Sequence, residues 1–262
     1  DVYVITFPKS GTHWIGEIIA YVVHEGRDDF DRTNMTNVLE TTLEVDPSKV
    51  ESTTPGYKIF EKAQSPRIMG THCRVHLLPP QIWEKKAKVI YLARNPKDRM
   101  VSYYNFIKPM LSPTLQNWDA FLFYCASGEV VSGSWSKHVL SYWKHRDDDN
   151  VLFLKYEDLH KDLEGGIRKV ADHLGKSLSD DVIRSIIERV TFAGMQKTYK
   201  NLEDKLGEEG KKMTQFFGMA PYLLKGKVGT WKEFFTAEQS ALFDKIYATE
   251  MEGSGLDFDF EL

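Results

Sequence analysis

The sequence predicts an α/β fold, a single domain over residues 1–262 with a central parallel sheet flanked by helices. Three observations predict it. Short, largely apolar runs at residues 2–7, 87–93 and 151–155, the first of them rich in β-branched residues, have the character of core strands. Each run is followed by a polar turn and then by helical apolar spacing. Strands that alternate with helices favour parallel pairing, with helices covering both sides of the sheet.

The first run, Val2-Tyr3-Val4-Ile5-Thr6-Phe7, passes through Pro8-Lys9-Ser10-Gly11-Thr12 into a helical pattern over residues 13–24. That pattern places Trp14, Ile15, Ile18, Ile19, Val22 and Val23 on one broad face. From residue 27 to 66, polar residues with Pro47, Pro55 and Gly56 predict loops and short helical pieces. An apolar, strand-like stretch then ends at Met69-Gly70-Thr71-His72. The second strand, residues 87–93, enters Arg94-Asn95-Pro96-Lys97-Asp98 and a helix to about residue 106. Helices are expected at 118–126 and 135–145. The third strand, 151–155, ends at Tyr156-Glu157-Asp158, with a helix beyond it to about residue 174. Amphipathic helices follow at 180–190 and 237–250. Residues 200–229, polar and glycine-bearing, are expected to form a long mobile segment of the kind that acts as a lid. No internal repeat is present. Ligands of parallel sheets bind beyond the carboxyl ends of the strands, so the three polar turns should share one site.

Composition narrows the partners. The net charge of −4 gives no global field for nucleic acid, so any anionic ligand must be gripped by local basic residues. Cys73 and Cys125 stand far apart with no metal-ligand spacing, which suits a reducing, cytoplasmic compartment. No apolar run reaches the roughly 18 residues of a membrane span, and no charged-then-apolar signal opens the chain. A chain that opens inside a core strand is compatible with residues preceding Asp1.

Chemistry concentrates in two turns. In Pro8-Lys9-Ser10-Gly11-Thr12-His13-Trp14, a strand feeds a helix through a glycine-containing loop, which aims backbone N–H groups and the helix dipole at one point. Lys9 adds a full charge, and Ser10 and Thr12 add hydroxyl donors. An ordinary βα turn with a surface lysine is the bland alternative. A nucleoside-triphosphatase loop needs its lysine after a second glycine, whereas Lys9 precedes Gly11 and no glycine lies upstream. In the second turn, Arg94 leaves a buried strand and Ser102 lies one to two turns into the next helix, a suitable fork and hydroxyl for a phosphate. A helix cap with a surface Arg–Asp pair is the competing reading there. Two phosphate grips on neighbouring strands suggest a nucleoside with phosphates at both ends.

Together with Lys225-Gly226-x-x-Gly229-x-Trp231-Lys232, the runs Phe7-Pro8-Lys9-Ser10-Gly11-Thr12-x-Trp14 and Arg94-Asn95-Pro96-Lys97-Asp98-x-x-Val101-Ser102-Tyr103-Tyr104 resemble the cytosolic sulfotransferase family. Order and separation fit over essentially the whole chain. The resemblance implies transfer of a sulfonate group from 3′-phosphoadenosine 5′-phosphosulfate (PAPS) to a hydroxyl or amine of a small acceptor, with a P-loop-like phosphosulfate site and no metal. It implies that Lys9, Ser10, Gly11, Thr12 and His13 bind the 5′-phosphosulfate and that Trp14 stacks on adenine. Arg94 and Ser102 would bind the 3′-phosphate, and Tyr156, Thr191 and Phe192 would lie near the base. Lys225 and Gly226 would close over the 3′-phosphate. Histidine is the usual base near neutral pH. Of the eight histidines the resemblance selects His72 as the group that takes the acceptor proton. Charge developing on the departing phosphate would meet Lys9 and the loop N–H groups, with Lys9 and Ser102 completing the catalytic set. Phe60, Tyr104 and Phe106 are candidate walls of an apolar, phenol-accepting pocket by neighbourhood to the motifs, with core packing as the other reading of each.

Four positions depart from the family pattern. Gly70 stands where the family has lysine, Leu224 where it has arginine, Val190 where it has threonine, and Thr230 where it has aspartate. Losing two cations should weaken donor binding or slow transfer, at roughly 1.5–3 kcal/mol for each charge-assisted hydrogen bond. The family's dimer signature is reduced to Lys232, Thr236, Ala237 and Ala241, so a monomer or weak homodimer is expected. The alternatives are a sulfotransferase-like nucleotide-binding protein with weak or no transfer, a small-molecule kinase, and a membrane-anchored carbohydrate sulfotransferase. The order of the first loop disfavours the kinase, and the lack of an anchor disfavours the last.

Overall fold

The structure, a computed structural model, describes residues 1–30, 32, 39, 56–128, 133–207 and 226–262. Four parallel strands form one sheet in the order β2-β1-β3-β4. They are β1 (Val2–Thr6), β2 (Ile68–Thr71), β3 (Lys88–Ala93) and β4 (Val151–Lys155). The three predicted strands are β1, β3 and β4, and the stretch before His72 is the edge strand β2. Alternate side chains along each strand enter opposite layers. Val2 and Val4, Ile90 and Leu92, and Leu154 point into one core with Ile15, Ile18 and Ile19 of α1 (Thr12–Val23). Helices α8 (Leu163–His173) and α9 (Asp180–Val190) complete that layer through Ile167, Val170, Ile183 and Ile186. Ile5, Val89, Tyr91 and Val151 point the other way, against Val139 and Tyr142 of α6 (Trp135–Trp143) and against Met251, Leu256 and Phe258 near the carboxyl terminus.

This arrangement positions a site. The connection from β1 carries α1 over one face, whereas the connection from β3 carries α6 over the other. The chain therefore diverges between β1 and β3, leaving a crevice at their carboxyl ends. Thr6 pairs with Leu92 and Leu92 with Leu154, so the loop after Phe7, the turn at Arg94 and the turn at Tyr156 emerge side by side.

The remaining described helices are α2 (Gly56–Lys62), α3 (Gln81–Glu84), α4 (Pro96–Ile107), α5 (Trp118–Ala126), α7 (Tyr156–Lys161), α10 (Phe192–Leu206) and α11 (Ala237–Met251). Among the described residues, no helix is long and apolar enough to cross a membrane. Two elements differ from expectation. The single helix expected after β4 is broken at Asp162, whose non-helical backbone ends α7 and whose carboxylate accepts from Gly165 N–H at 2.8 Å to start α8. The polar stretch beginning at residue 200 is helical up to Leu206, as the last turns of α10. Buried Met195 and Tyr199, four residues apart, hold α10 to the protein, and the Tyr199 hydroxyl donates to Glu17 of α1 at 3.0 Å. Residues 208–225 of the expected lid, including Leu224 and Lys225, lie outside the described residues.

Gly11 makes the β1–α1 turn possible. Its φ of 106° lies in the region that side chains disfavour, and a Cβ there would sit 3.0 Å from the Tyr156 ring and 3.2 Å from Leu92. Gly11→Ala is expected to cost about 1–2 kcal/mol of stability, read by urea unfolding, and to weaken anion binding at the loop. An unfolding midpoint equal to that of the parent would show that the turn tolerates the methyl group.

Candidate active site

The loop after β1 is built as an anion cradle. Lys9 adopts a left-handed φ of 69°, and Ser10 N–H turns back to the Phe7 carbonyl at 3.1 Å. No side chain caps α1, so the N–H groups of its first turn face the loop. The Ser10 hydroxyl is buried and has no hydrogen-bond partner among the described residues, which suits an anionic ligand at this point. Lys9 lies 4.4 Å from the centre of the Phe106 ring. Burial, reinforced by the neighbouring Arg94, lowers the Lys9 ammonium to about 8. His13 is lowered to about 4 by burial and then by Lys9 and His72, so it adds no charge near neutral pH.

Arg94 crosses the crevice at the end of β3. Its guanidinium lies 4.3 Å from the centre of the Tyr156 ring and reaches the carbonyls of Lys9 and Lys227, each at 3.4 Å. Its Nε is buried without a partner among the described residues. The long contacts and the unpartnered Nε leave a fork able to take a phosphate. Asn95 and Asp98 form the base beneath it. Asn95 caps α4 by accepting from Asp98 N–H at 2.8 Å, while its own N–H donates to buried Glu157 at 2.8 Å. Asp98 does not make the surface pair with arginine that a bland reading would give. It is buried and accepts from Gly229 N–H, the Thr230 hydroxyl and Trp231 N–H at 2.8, 3.0 and 2.9 Å. Lys97, also buried, reaches Ser240 and Asp244 at 2.7 Å each. Ser102 is half-buried in the second turn of α4.

An aromatic cluster lies beside the loop. The Trp14 ring is 5.0 Å from Tyr156 and 4.7 Å from His160, and its Nε1 donates to the Val190 carbonyl at 2.8 Å. His160, with its Nε2 buried and unpartnered, is lowered to about 4 by burial and by Arg94. Gly226 packs on Phe192, where a Cβ would come within 3.0 Å of the ring. The Thr191 hydroxyl is already engaged, accepting from Gly194 N–H and donating to the Glu188 carbonyl.

His72 emerges from β2 beside Thr6. Its Nδ1 lies 2.7 Å from the Thr6 carbonyl, and a carbonyl can only accept, so Nδ1 carries the hydrogen and Nε2 keeps its lone pair. The Thr6 hydroxyl, 3.2 Å from the same nitrogen, is 2.7 Å from the Thr12 hydroxyl. His138 of α6 secures the backbone behind it. Its Nε2 donates to the His72 carbonyl at 2.9 Å, which leaves Nδ1 to accept from Tyr91 at 3.0 Å. Burial lowers His138 to about 3, so this relay stays neutral. The Tyr142 hydroxyl likewise holds the Cys73 carbonyl at 2.6 Å.

The structure thus brings Lys9, Ser10, Gly11, His13, Trp14, Arg94, Tyr156 and His72 to the carboxyl ends of the strands, with Phe106 at their edge. Tyr104 is packed among Trp118, Phe121 and Phe234. Phe60 is buried on α2, its carbonyl accepting from Arg67 at the amino end of β2. His138, His160 and the Asp98 contacts escape sequence reasoning. The one local cue for His138 is its place on the buried α6 face with Val139 and Tyr142.

A family model described as the sulfotransferase domain matches residues 1–255. Sulfotransferase 1B1 of Mus musculus is 35% identical over 271 residues, covering 98% of this chain and 85% of that protein. The amine sulfotransferase of Oryctolagus cuniculus is 36% identical over 273 residues, covering 100% of this chain and 84% of that protein. A mouse sulfotransferase crystallised with PAP superposes with a TM-score of 0.74 at 29% identity, over 97% of this chain and 86% of that one. A retinol dehydratase in complex with androsterone and the inactive cofactor PAP gives a TM-score of 0.81 at 26% identity, over 98% and 82%. A family model over residues 1–255 and relatives 35% and 36% identical over 98% and 100% of the chain show that the chain belongs to the sulfotransferase family.

Proposed function

We propose that this protein transfers a sulfonate group from PAPS to a hydroxyl or amine of a small, hydrophobic or phenolic acceptor, with His72 as general base. The observation that carries this reading is the pairing of two grips across one crevice. Lys9 and the unpartnered Ser10 hydroxyl stand at the uncapped start of α1, and the unpartnered Nε of Arg94 stands opposite. The PAP complexes of the two solved relatives support a nucleotide with phosphates at both ends.

In this proposal PAPS supplies an activated sulfonate on a phosphate leaving group. Lys9, Ser10, Gly11, Thr12 and His13 hold its 5′ end, Arg94 and Ser102 its 3′-phosphate, and Trp14, Tyr156 and Phe192 its base, with Gly226 and Lys225 closing behind. His72 Nε2 takes the acceptor proton as the acceptor oxygen or nitrogen bonds to sulfur and the sulfur–phosphate oxygen bond breaks. Lys9 and the α1 N–H groups stabilise the charge left on the phosphate. Phe106, against Lys9, is assigned to the acceptor side; Tyr104, packed among Trp118, Phe121 and Phe234, and Phe60, buried near the amino end of β2, fit the core-packing reading instead. Cytoplasmic placement and a monomer or weak homodimer belong to the same proposal. The sequence supports the first, with two cysteines, Cys73 and Cys125, far apart and in no metal-ligand spacing. Lys232 and Thr236 support the second, since Lys232 pairs with Glu261 and Thr236 caps α11 within the chain.

Transfer of labelled sulfonate from PAPS to 2-naphthol is the direct test. His72→Ala should lower turnover on the order of 10²–10⁴-fold while bisphosphate affinity is retained. Unchanged turnover would remove His72 from the mechanism, and no transfer by the parent to any phenol, alcohol or amine would remove the reaction. A pH series probes Lys9 separately. Its ammonium is charged below about 8, so affinity for adenosine 3′,5′-bisphosphate should fall above that pH, by up to about tenfold per unit. Lys9→Arg should abolish the fall, and a flat profile in the parent would contradict the assignment.

A further inference from the structure

A cavity of about 200 Å³ lies behind the crevice, between α4, the end of α5, the start of α6 and α11. None of the residues assigned to PAPS or to the acceptor lines it. Its inner wall is Arg99, which is 3% exposed. The Arg99 guanidinium lies 4.2 Å from the centre of the Phe7 ring and 4.6 Å from that of Tyr103, and its Nε donates to the Pro8 carbonyl at 3.0 Å. Its Nη2 is buried with no partner, and no carboxylate pairs with Arg99 among the described residues. Burial lowers Arg99 only to about 10, so it stays charged near neutral pH. A buried cation without a counter-charge is costly and is ordinarily matched by an anion.

The rest of the lining fits an anion with an apolar body. Arg74 and Lys137 add two cations, against one carboxylate, Glu250, among the described lining residues. Cys125, raised to about 11 by burial, is a neutral thiol near neutral pH. Met100, Trp135 and Phe243 supply the apolar part of the wall. Lys137 and Glu250 are exposed, so the cavity opens to solvent on their side.

We propose that this cavity is a second binding site, separate from the PAPS site, for a small aryl or alkyl anion whose carboxylate or sulfate ester group lies against Arg99 and Arg74. The shared chemistry has two sources: a carboxylate metabolite, or a sulfate ester such as the proposed reaction forms. Because Arg99 also holds the carbonyl of Pro8, the ligand would sit directly behind the loop that carries Lys9.

The test is calorimetric titration of the full chain, saturated with adenosine 3′,5′-bisphosphate, with 2-naphthoate, 2-naphthyl sulfate and neutral 2-naphthol. The expected result is saturable binding of at least one anion, unchanged in His72→Ala and weakened about tenfold or more in both Arg99→Met and Lys137→Glu. Lys137 is exposed, so its variant remains informative even if Arg99→Met fails to fold. Tighter binding of the sulfate ester would point to product, and tighter binding of naphthoate to a carboxylate ligand; either supports the site. Binding that is absent, or that persists unchanged in Lys137→Glu and in any folded Arg99→Met, would overturn it. So would binding lost in His72→Ala. The direct readout stands whether or not the protein transfers sulfonate.

Discussion

Asp98 ties together the parts of the molecule that must meet at the crevice. A carboxylate in the first turn of α4, it is buried and accepts hydrogen bonds from Gly229, Thr230, Trp231 and the Asn95 amide. Bonds of this charge-assisted kind are worth roughly 1.5–3 kcal/mol each. Asn95 passes the connection to Glu157 at the end of β4, and Lys97 passes it to α11. One local motif therefore fixes the ends of β3 and β4 and the segment that begins at Gly226. Arg94, at the junction, is held between Lys9 and Lys227 with its Nε unused.

The charge pattern follows from this frame. Beneath the crevice, buried Asp98 is occupied by Asn95 and the 229–231 backbone, and one oxygen of buried Glu157 by Asn95. Above them the groups facing the crevice are Lys9, Arg94, N–H donors and histidines. Burial keeps His13 and His160 neutral near pH 7, each lowered to about 4. The excess positive charge is thus concentrated on Lys9 and Arg94, where an anion with two separated phosphates can use both. His72 is held in place by a different device, a backbone carbonyl on Nδ1 and a neutral histidine behind its own carbonyl.

Much of this was legible in the sequence because the information is local. The runs that form β1, β3 and β4 are short and largely apolar, and each is followed at once by a polar turn. Long-range contacts left no such mark. His138 touches His72 from 66 positions away, and nothing in a lone histidine on an amphipathic helix signals it. Helix α10 was hidden because its outward turns are as polar as a loop, while its attachment rests on Met195 and Tyr199. Two departures from the family pattern also look different once placed. Val190 meets Trp14 through its carbonyl, which any residue supplies, and Thr230 donates to Asp98 through its hydroxyl. Gly70 keeps its meaning: it is buried in β2 opposite Val4, and glycine itself supplies no side-chain cation.

The central claim is that two grips on neighbouring strands together recognise a nucleotide with phosphates at both ends. Calorimetry of adenosine 3′,5′-bisphosphate against 5′-AMP, on the parent and on Arg94→Ala, addresses it most directly. The account predicts that the bisphosphate binds the parent more tightly, by on the order of tenfold to a hundredfold, and that the margin disappears in Arg94→Ala while 5′-AMP affinity changes little. Equal affinity of the parent for the two nucleotides would contradict it.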